Sequence, residues 1–168
     1  MVNTINYVYL DTETTGLFPG EDEIVEIAII DNNGNDLINT LVKPVRNKSW
    51  TYAQGIHGIT PLMVANAPTL DSLKDKIISV LKDKTCVIYN ANFDVGFLSD
   101  CFNDSTEIAC CMLDYAEEIG EWNEYREDYK WHKLINAASH VKHVWSGKAH
   151  RAKADTLACK SVWEYLKK

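Results

Sequence analysis

Asp11 and Glu13 stand two residues apart at the end of a short β-rich run, Tyr7-Val8-Tyr9-Leu10. Residues i and i+2 of a strand point to the same face. Two carboxylates on one face repel each other unless a cation sits between them. Thr14-Thr15-Gly16 then turns the chain away, which leaves the pair at an edge. Three more candidates lie far along the chain. Asp94 follows a second apolar strand through Asn90-Ala91-Asn92-Phe93, Asp155 lies near the start of the last helix, and His150 sits in the loop before it. Read singly, each has an ordinary explanation. Asp94 and Asp155 suit helix caps or helix-dipole partners. His150 suits a solvated loop residue, and Arg151 and Lys153 suit surface charges. Taken together they suit another chemistry. Mg2+ and Mn2+ want oxygen ligands in an octahedral set, often shared with phosphates and water. Four carboxylates from three segments can hold two such ions, and two ions can clamp the attacking and leaving oxygens of a phosphodiester. A His that titrates near neutrality suits the base in such a reaction.

The elements that must position these groups are legible in outline. Glu23 to Ile30 carries Ile24, Val25, Ile27, Ile29 and Ile30 and reads as a buried strand. Asn33-Gly34 within residues 31–35 is a hairpin signal, and Leu37 to Val42 reads as the returning strand. The first three strands therefore form an antiparallel meander. Pro61 to Ala65 reads as a helix start. Leu70, Leu73, Ile77 and Leu81 recur at helical spacing, with Thr69 as N-cap. Cys86 to Tyr89 is a further strand and Phe93 to Phe102 a helix. Residues 107–119 contain both a strand and a helix, and Ala154 to Leu166 closes the chain as a helix. Strands first, then strands alternating with helices, give a mixed sheet flanked by helices. No repeat, linker or low-complexity block is visible, so residues 1–168 read as one domain.

Composition narrows the class. An ordinary apolar fraction, five Trp and eight Tyr argue against disorder, and 168 residues can bury a full core. No apolar run is long enough to cross a bilayer, and Met1 to Asn6 lacks the pattern of a signal peptide. A cytoplasmic protein is the expectation. The five Cys (86, 101, 110, 111 and 159) form no Cys-x-x-Cys pair and read as buried free thiols. The net charge of −7 is unlike that of a simple nucleic-acid binder. Its distribution is uneven. Residues 133–168 hold eight Lys/Arg against two acids, +6, which leaves −13 on residues 1–132. Such a split suits an acidic part holding cations and a basic end facing an anion, or simply a solvated basic helix.

Three segments resemble the DEDDh 3′→5′ exonuclease superfamily, in the branch of the polymerase III epsilon subunit and exonuclease X. They are Leu10-Asp11-Thr12-Glu13-Thr14-Thr15-Gly16-Leu17, Tyr89-Asn90-Ala91-Asn92-Phe93-Asp94 and His150-Arg151-Ala152-Lys153-Ala154-Asp155. Ile56-His57-Gly58-Ile59-Thr60 resembles a family element between the first two. The likeness is collinear over about residues 7–166. It implies an α/β, RNase H-like fold with a five-stranded mixed sheet flanked by helices. It implies hydrolysis of nucleic acid, DNA or RNA, from a free 3′ end that is single-stranded or frayed, with release of nucleoside 5′-monophosphates. By position, Asp11, Glu13, Asp94 and Asp155 would hold two divalent ions, Mg2+ or Mn2+, and His150 would be the general base. Thr14, Leu17, His57, Ile59, Asn90 and Phe93 would lie at the terminal nucleotides. For Leu17 and Ile59 plain core packing competes with that role. Tyr89 departs from the pattern, which commonly has His there.

Two issues stay open on sequence alone. The aromatics Trp122, Tyr125, Tyr129 and Trp131 could stack the bases of a single strand or cover the core, and core cover is the favoured reading. The activity could be stand-alone or that of a proofreading or trimming module bound to a polymerase or integrase partner. A C-terminus at Lys168, just after the last helix, favours the stand-alone reading. A non-catalytic nucleic-acid-binding domain would lack one of the five groups, and all five are present.

Overall fold

The computed structural model describes residues 6–102 and 106–168. Three strands open the fold: β1 (Tyr7–Thr14), β2 (Ile24–Asp31) and β3 (Asp36–Leu41). They pair antiparallel, as the Asn33-Gly34 turn requires. Two more strands, β4 (Thr85–Ile88) and β5 (Glu107–Cys110), add in parallel on the other side of β1. The sheet order is β3-β2-β1-β4-β5, so β1 is central. Six α-helices among the described residues accompany it: α1 (Thr51–His57), α2 (Leu70–Leu81), α3 (Ala91–Leu98), α4 (Cys111–Ile119), α5 (Leu134–His140) and α6 (Ala152–Leu166). This is the expected α/β arrangement of a five-stranded mixed sheet between helices.

Strand alternation divides the core into two layers. Val8 and Leu10 of β1 and Cys86 and Ile88 of β4 pack with Ile77 and Leu81 of α2 and Leu98 of α3. Tyr9 and Val87 face the other way, into Tyr115 of α4, Ala137 of α5 and Cys159, Val162 and Trp163 of α6. A third cluster, Val25, Trp50, Ala53, Ile59 and Val64, lies under α1. All five Cys are free thiols, and four of them are buried. No helix among the described residues is long and apolar enough to cross a membrane.

Several elements differ from the sequence reading. The first strand runs on to Thr14, because β2 keeps pairing with it after β4 has stopped at Ile88. The segment Pro61–Ala65 begins no helix. It is a chain of turns held by i→i+3 bonds, Met63 N to Thr60 O and Ala65 N to Leu62 O, and Pro68 follows too soon for a helix to propagate. The second helix starts where expected, with the Thr69 hydroxyl accepting the Ser72 N–H at 3.3 Å. The short helices α1 and α5 were not legible. The aromatic segment does not cover the core. It forms a small hairpin, β6 (Trp122–Asn123) with β7 (Asp128–Tyr129), and the layer it would have covered is already closed by α4, α5 and α6. Tyr125 at its tip is 97% exposed, and Trp122 and Trp131 are half exposed.

Candidate active site

The end of β4 creates the site. Beyond Leu10, paired with Ile88, β1 has no neighbour on that side. The chain turns at Asn90 into α3, and Asp94 in the first turn of that helix returns to the vacated edge. Its carboxylate accepts the Thr12 N–H at 3.0 Å and the Thr12 hydroxyl at 2.7 Å. Asp94 thereby takes the donor that a longer β4 would have paired.

Asp11 and Glu13 alternate with Thr12 and so point to the opposite face, toward α6. Asp155 projects from the first turn of α6. Oxygens of Asp11, Glu13 and Asp155 lie within 4.8 Å of one another. Asp94 stands outside this trio, yet its charge is the strongest single electrostatic influence on Asp11. Burial, then the charges of Asp94, Glu13 and Asp155, hold the Asp11 carboxyl well above the usual carboxylate range. Burial and the Asp155 charge push Glu13 up to about 8. Burial raises Asp94 to about 7 against the two Thr12 bonds, and Asp155 to about 6 against the His150 N–H. Oxygen donors at this spacing, each made proton-hungry first of all by burial, form a set that a hard divalent cation would fit.

The loop before α6 is fastened from two sides. His150 takes a left-handed backbone, φ 62°, and its N–H donates to Asp155 Oδ1 at 3.0 Å, while its side chain stays exposed. Arg151 is not a surface charge. Its Nε lies 3.0–3.1 Å from both carboxylate oxygens of Glu26 and its terminal nitrogen 2.6 Å from Oε1. Glu26 is buried, sits opposite Glu13 across β1 and β2, and also accepts the Ala152 N–H at 2.9 Å. Sequence reasoning missed this pair. The signal was a lone acid inside the apolar run Ile24–Ile30. Lys153 likewise pairs with Asp36 at 2.9 Å.

The remaining sequence candidates separate. Thr14 is buried, and its carbonyl oxygen accepts from His57 Nε2 at 3.1 Å. His57 is buried as well, and its Nδ1 accepts the Ile59 N–H at 3.0 Å, so the ring is neutral with the proton on Nε2. Both His57 nitrogens are therefore spent on the backbone, and Ile59, with no exposed surface, is a core residue. Neither offers a nucleotide what the sequence reading expected of them. Leu17 is 66% exposed and free of the core, Asn90 is exposed, and Phe93 is half-buried against Phe97. Between them, Thr15 bonds Asp22, and a Cβ at Gly16 would run into the Asp22 carboxylate.

The exonuclease family model matches residues 8–162. The chain belongs to the exonuclease family. It is an exonuclease acting on nucleic acid, of the DEDD superfamily. It is 41% identical over 174 residues to an uncharacterised exonuclease of Escherichia phage 186, over 96% of this chain and 88% of that protein. It is 39% identical over 95 residues to the PolC-type DNA polymerase III of Thermotoga maritima, a match to 55% of this chain but 7% of that polymerase. Among solved structures it resembles exonuclease X in complex with 5′-overhanging duplex DNA, with TM-score 0.71 and 28% identity over 95% of this chain and 90% of the other. The fold is shared with exonuclease I at TM-score 0.76 and 19% identity, over 98% of this chain and 41% of that one.

Proposed function

We propose that this exonuclease works in the 3′→5′ direction, hydrolysing phosphodiester bonds at the free 3′ end of DNA or RNA and releasing nucleoside 5′-monophosphates. Residues 1–168 would form one exonuclease domain, with its motifs within about residues 7–166. The observation that carries this reading is the meeting of Asp11, Glu13 and Asp155 oxygens within 4.8 Å at the end of β1, with Asp94 beside them. These four carboxylates would hold two divalent ions, Mg2+ or Mn2+, which when bound supply charge to both the attacking and the leaving oxygen.

The chain's own groups do the rest. The exposed His150 imidazole acts as the general base, taking the proton of the attacking water. Its backbone N–H bond to Asp155 holds the loop that carries the ring beside that carboxylate. The Glu26–Arg151 pair fixes the loop that carries it. Thr12 orients Asp94. His57 bonds the Thr14 carbonyl and so holds the turn after β1 in shape. Leu17, Asn90 and Phe93, which keep exposed surface around that turn, contact the terminal nucleotide.

A labelled-oligonucleotide assay tests the reading. Wild type with Mg2+ or Mn2+ is expected to release a 3′ label first and to leave a 5′ label on progressively shorter products. EDTA, Asp11→Ala and His150→Ala are each expected to abolish or steeply reduce this. Activity of the two variants equal to wild type, or release from the 5′ end, refutes it. A second reading, a trimming module bound to a polymerase, is favoured by the likeness to a short part of a PolC-type polymerase. The phage relative, matched over most of its length, favours an exonuclease acting by itself.

A further inference from the structure

The sheet face that carries Asp11 and Glu13 continues onto β2 and β3. Glu26 stands opposite Glu13, and Asn39 stands opposite Ala28, which is itself opposite Asp11. Residues directly opposed across strands share a face, so all of these lie on one side of the sheet. Over β2 and β3 the loop before α6 leaves a cavity of about 490 Å3, lined by Glu26, Asn39, Ser146, Lys148, Arg151 and Lys153 among others. Three cations face one carboxylate there. Two of the cations are committed, since Arg151 pairs with Glu26 and Lys153 with Asp36. Lys148 is not. It is exposed and, among the described residues, has no hydrogen-bond or ion-pair partner. Its ammonium nitrogen would stand 3.7 Å from a Cβ built on Gly58, the left-handed residue that ends α1. The C-terminal carbonyls of a helix favour a cation at such a place. The residue before Gly58 is His57, whose ring bonds the Thr14 carbonyl. Lys148 therefore sets an uncommitted positive charge beside the segment that holds the end of β1, next to the turn proposed above to meet the terminal nucleotide.

We infer that this cavity receives a phosphate carried on the 3′ oxygen of the terminal nucleotide, with Lys148 as its main cation, so that the enzyme removes 3′-phosphorylated nucleotides as well as those that end in a hydroxyl. The inference rests on the 3′→5′ reading above and adds a substrate class to it. A terminal phosphate brings about two negative charges at neutral pH. Beside Glu13 and Glu26 alone it would be repelled. The lining of the cavity reverses that sign, and its volume gives the group room. The chemistry of cleavage is unchanged. Water attacks the phosphorus of the last diester, the bond from that phosphorus to the 3′ oxygen of the preceding nucleotide breaks, and that oxygen takes up a proton. The product is a nucleoside 3′,5′-bisphosphate. The shortened strand ends in a 3′-hydroxyl, so the cavity serves the first cut alone.

Two 5′-labelled single-stranded DNAs of one sequence, ending in a 3′-phosphate or a 3′-hydroxyl, test this in Mg2+. Wild type is expected to shorten both. Mass spectrometry should find a nucleoside 3′,5′-bisphosphate as the first product of the phosphorylated strand. Lys148→Ala is expected to lower kcat/KM on the phosphorylated end about tenfold relative to the hydroxyl end, the effect of one charge-assisted bond. Lys148→Arg should keep the wild-type ratio. Lys168→Ala, which removes the same charge beyond the far end of α6, should keep it too. Thermal melting checks that each variant is folded. The inference is overturned, with the exonuclease reading left standing, if wild type shortens only the hydroxyl end or first releases inorganic phosphate. A folded Lys148→Ala variant with the wild-type ratio overturns it equally. Failure of wild type to shorten either strand from the 3′ end overturns the reading beneath it.

Discussion

Replacing Asp11 by Asn is expected to stabilise the metal-free protein while destroying its activity. Asp11 is crowded by Asp94, Glu13 and Asp155 in a buried setting, and all four carboxyls hold their protons more tightly than they would unfolded. A carboxyl whose folded pKa is raised contributes stability that is complete below its unfolded value near 4 and is lost as pH rises through its folded value. Here those folded values are about 6 for Asp155, about 7 for Asp94 and about 8 for Glu13. Without metal, stability should therefore fall steadily from mildly acidic to mildly alkaline pH. Removing the Asp11 charge, which burial and the Asp94, Glu13 and Asp155 charges disfavour, should recover stability at alkaline pH. For a domain of this size each 1 kcal/mol recovered is roughly 2–4 °C in Tm. Calorimetry in EDTA across pH reads it directly. The Asn variant should melt above wild type at alkaline pH, and the difference should vanish near pH 4. Added Mg2+ or Mn2+ should raise the wild-type Tm and leave the variant unmoved. An Asn variant that melts at or below wild type in alkaline EDTA refutes the claim that the site stores mutual repulsion for a cation to relieve.

Other perturbations follow from the same geometry. Arg151→Ala leaves the buried Glu26 charge unpaired and should cost about 3 kcal/mol in urea unfolding, with kcat reduced because the His150 loop loses its anchor. Arg151→Lys should rescue only part of this, since an ammonium cannot span both carboxylate oxygens. Thr12→Val removes a 2.7 Å bond to Asp94 and should lower stability by about 1–2 kcal/mol and weaken metal affinity, read by titration calorimetry. Gly16→Ala drives a methyl into the Asp22 carboxylate and should lower Tm and raise KM, whereas a Gly55→Ala control, with open space around it, should do neither.

Much of this site could be read from the sequence because its parts are local. Asp11 and Glu13 share a face by strand geometry alone, and Asp155 and Asp94 occupy the first turns of helices. What sequence could not show are pairs made by the fold. Glu26 and Arg151 lie 125 residues apart, and no local rule links them. The burial of His57 depends on the backbone of Thr14, 43 residues away. The helices α1 and α5 span seven residues each, too few for apolar periodicity to declare itself. The aromatic hairpin misled for a different reason. Large aromatic side chains usually mark a core, but here helices had already closed the layer beneath.

The bond between Glu26 and Arg151 joins an early strand to the last helix, and Asp155 reaches Asp11 and Glu13 only when that helix docks. Closing so long a loop is entropically slow, so the catalytic centre should be among the last features to form. During synthesis the ribosome would release the first three strands, and the sheet could begin to assemble, long before the fourth carboxylate emerges. The growing chain therefore lacks the complete set of carboxylates until α6 has left the exit tunnel.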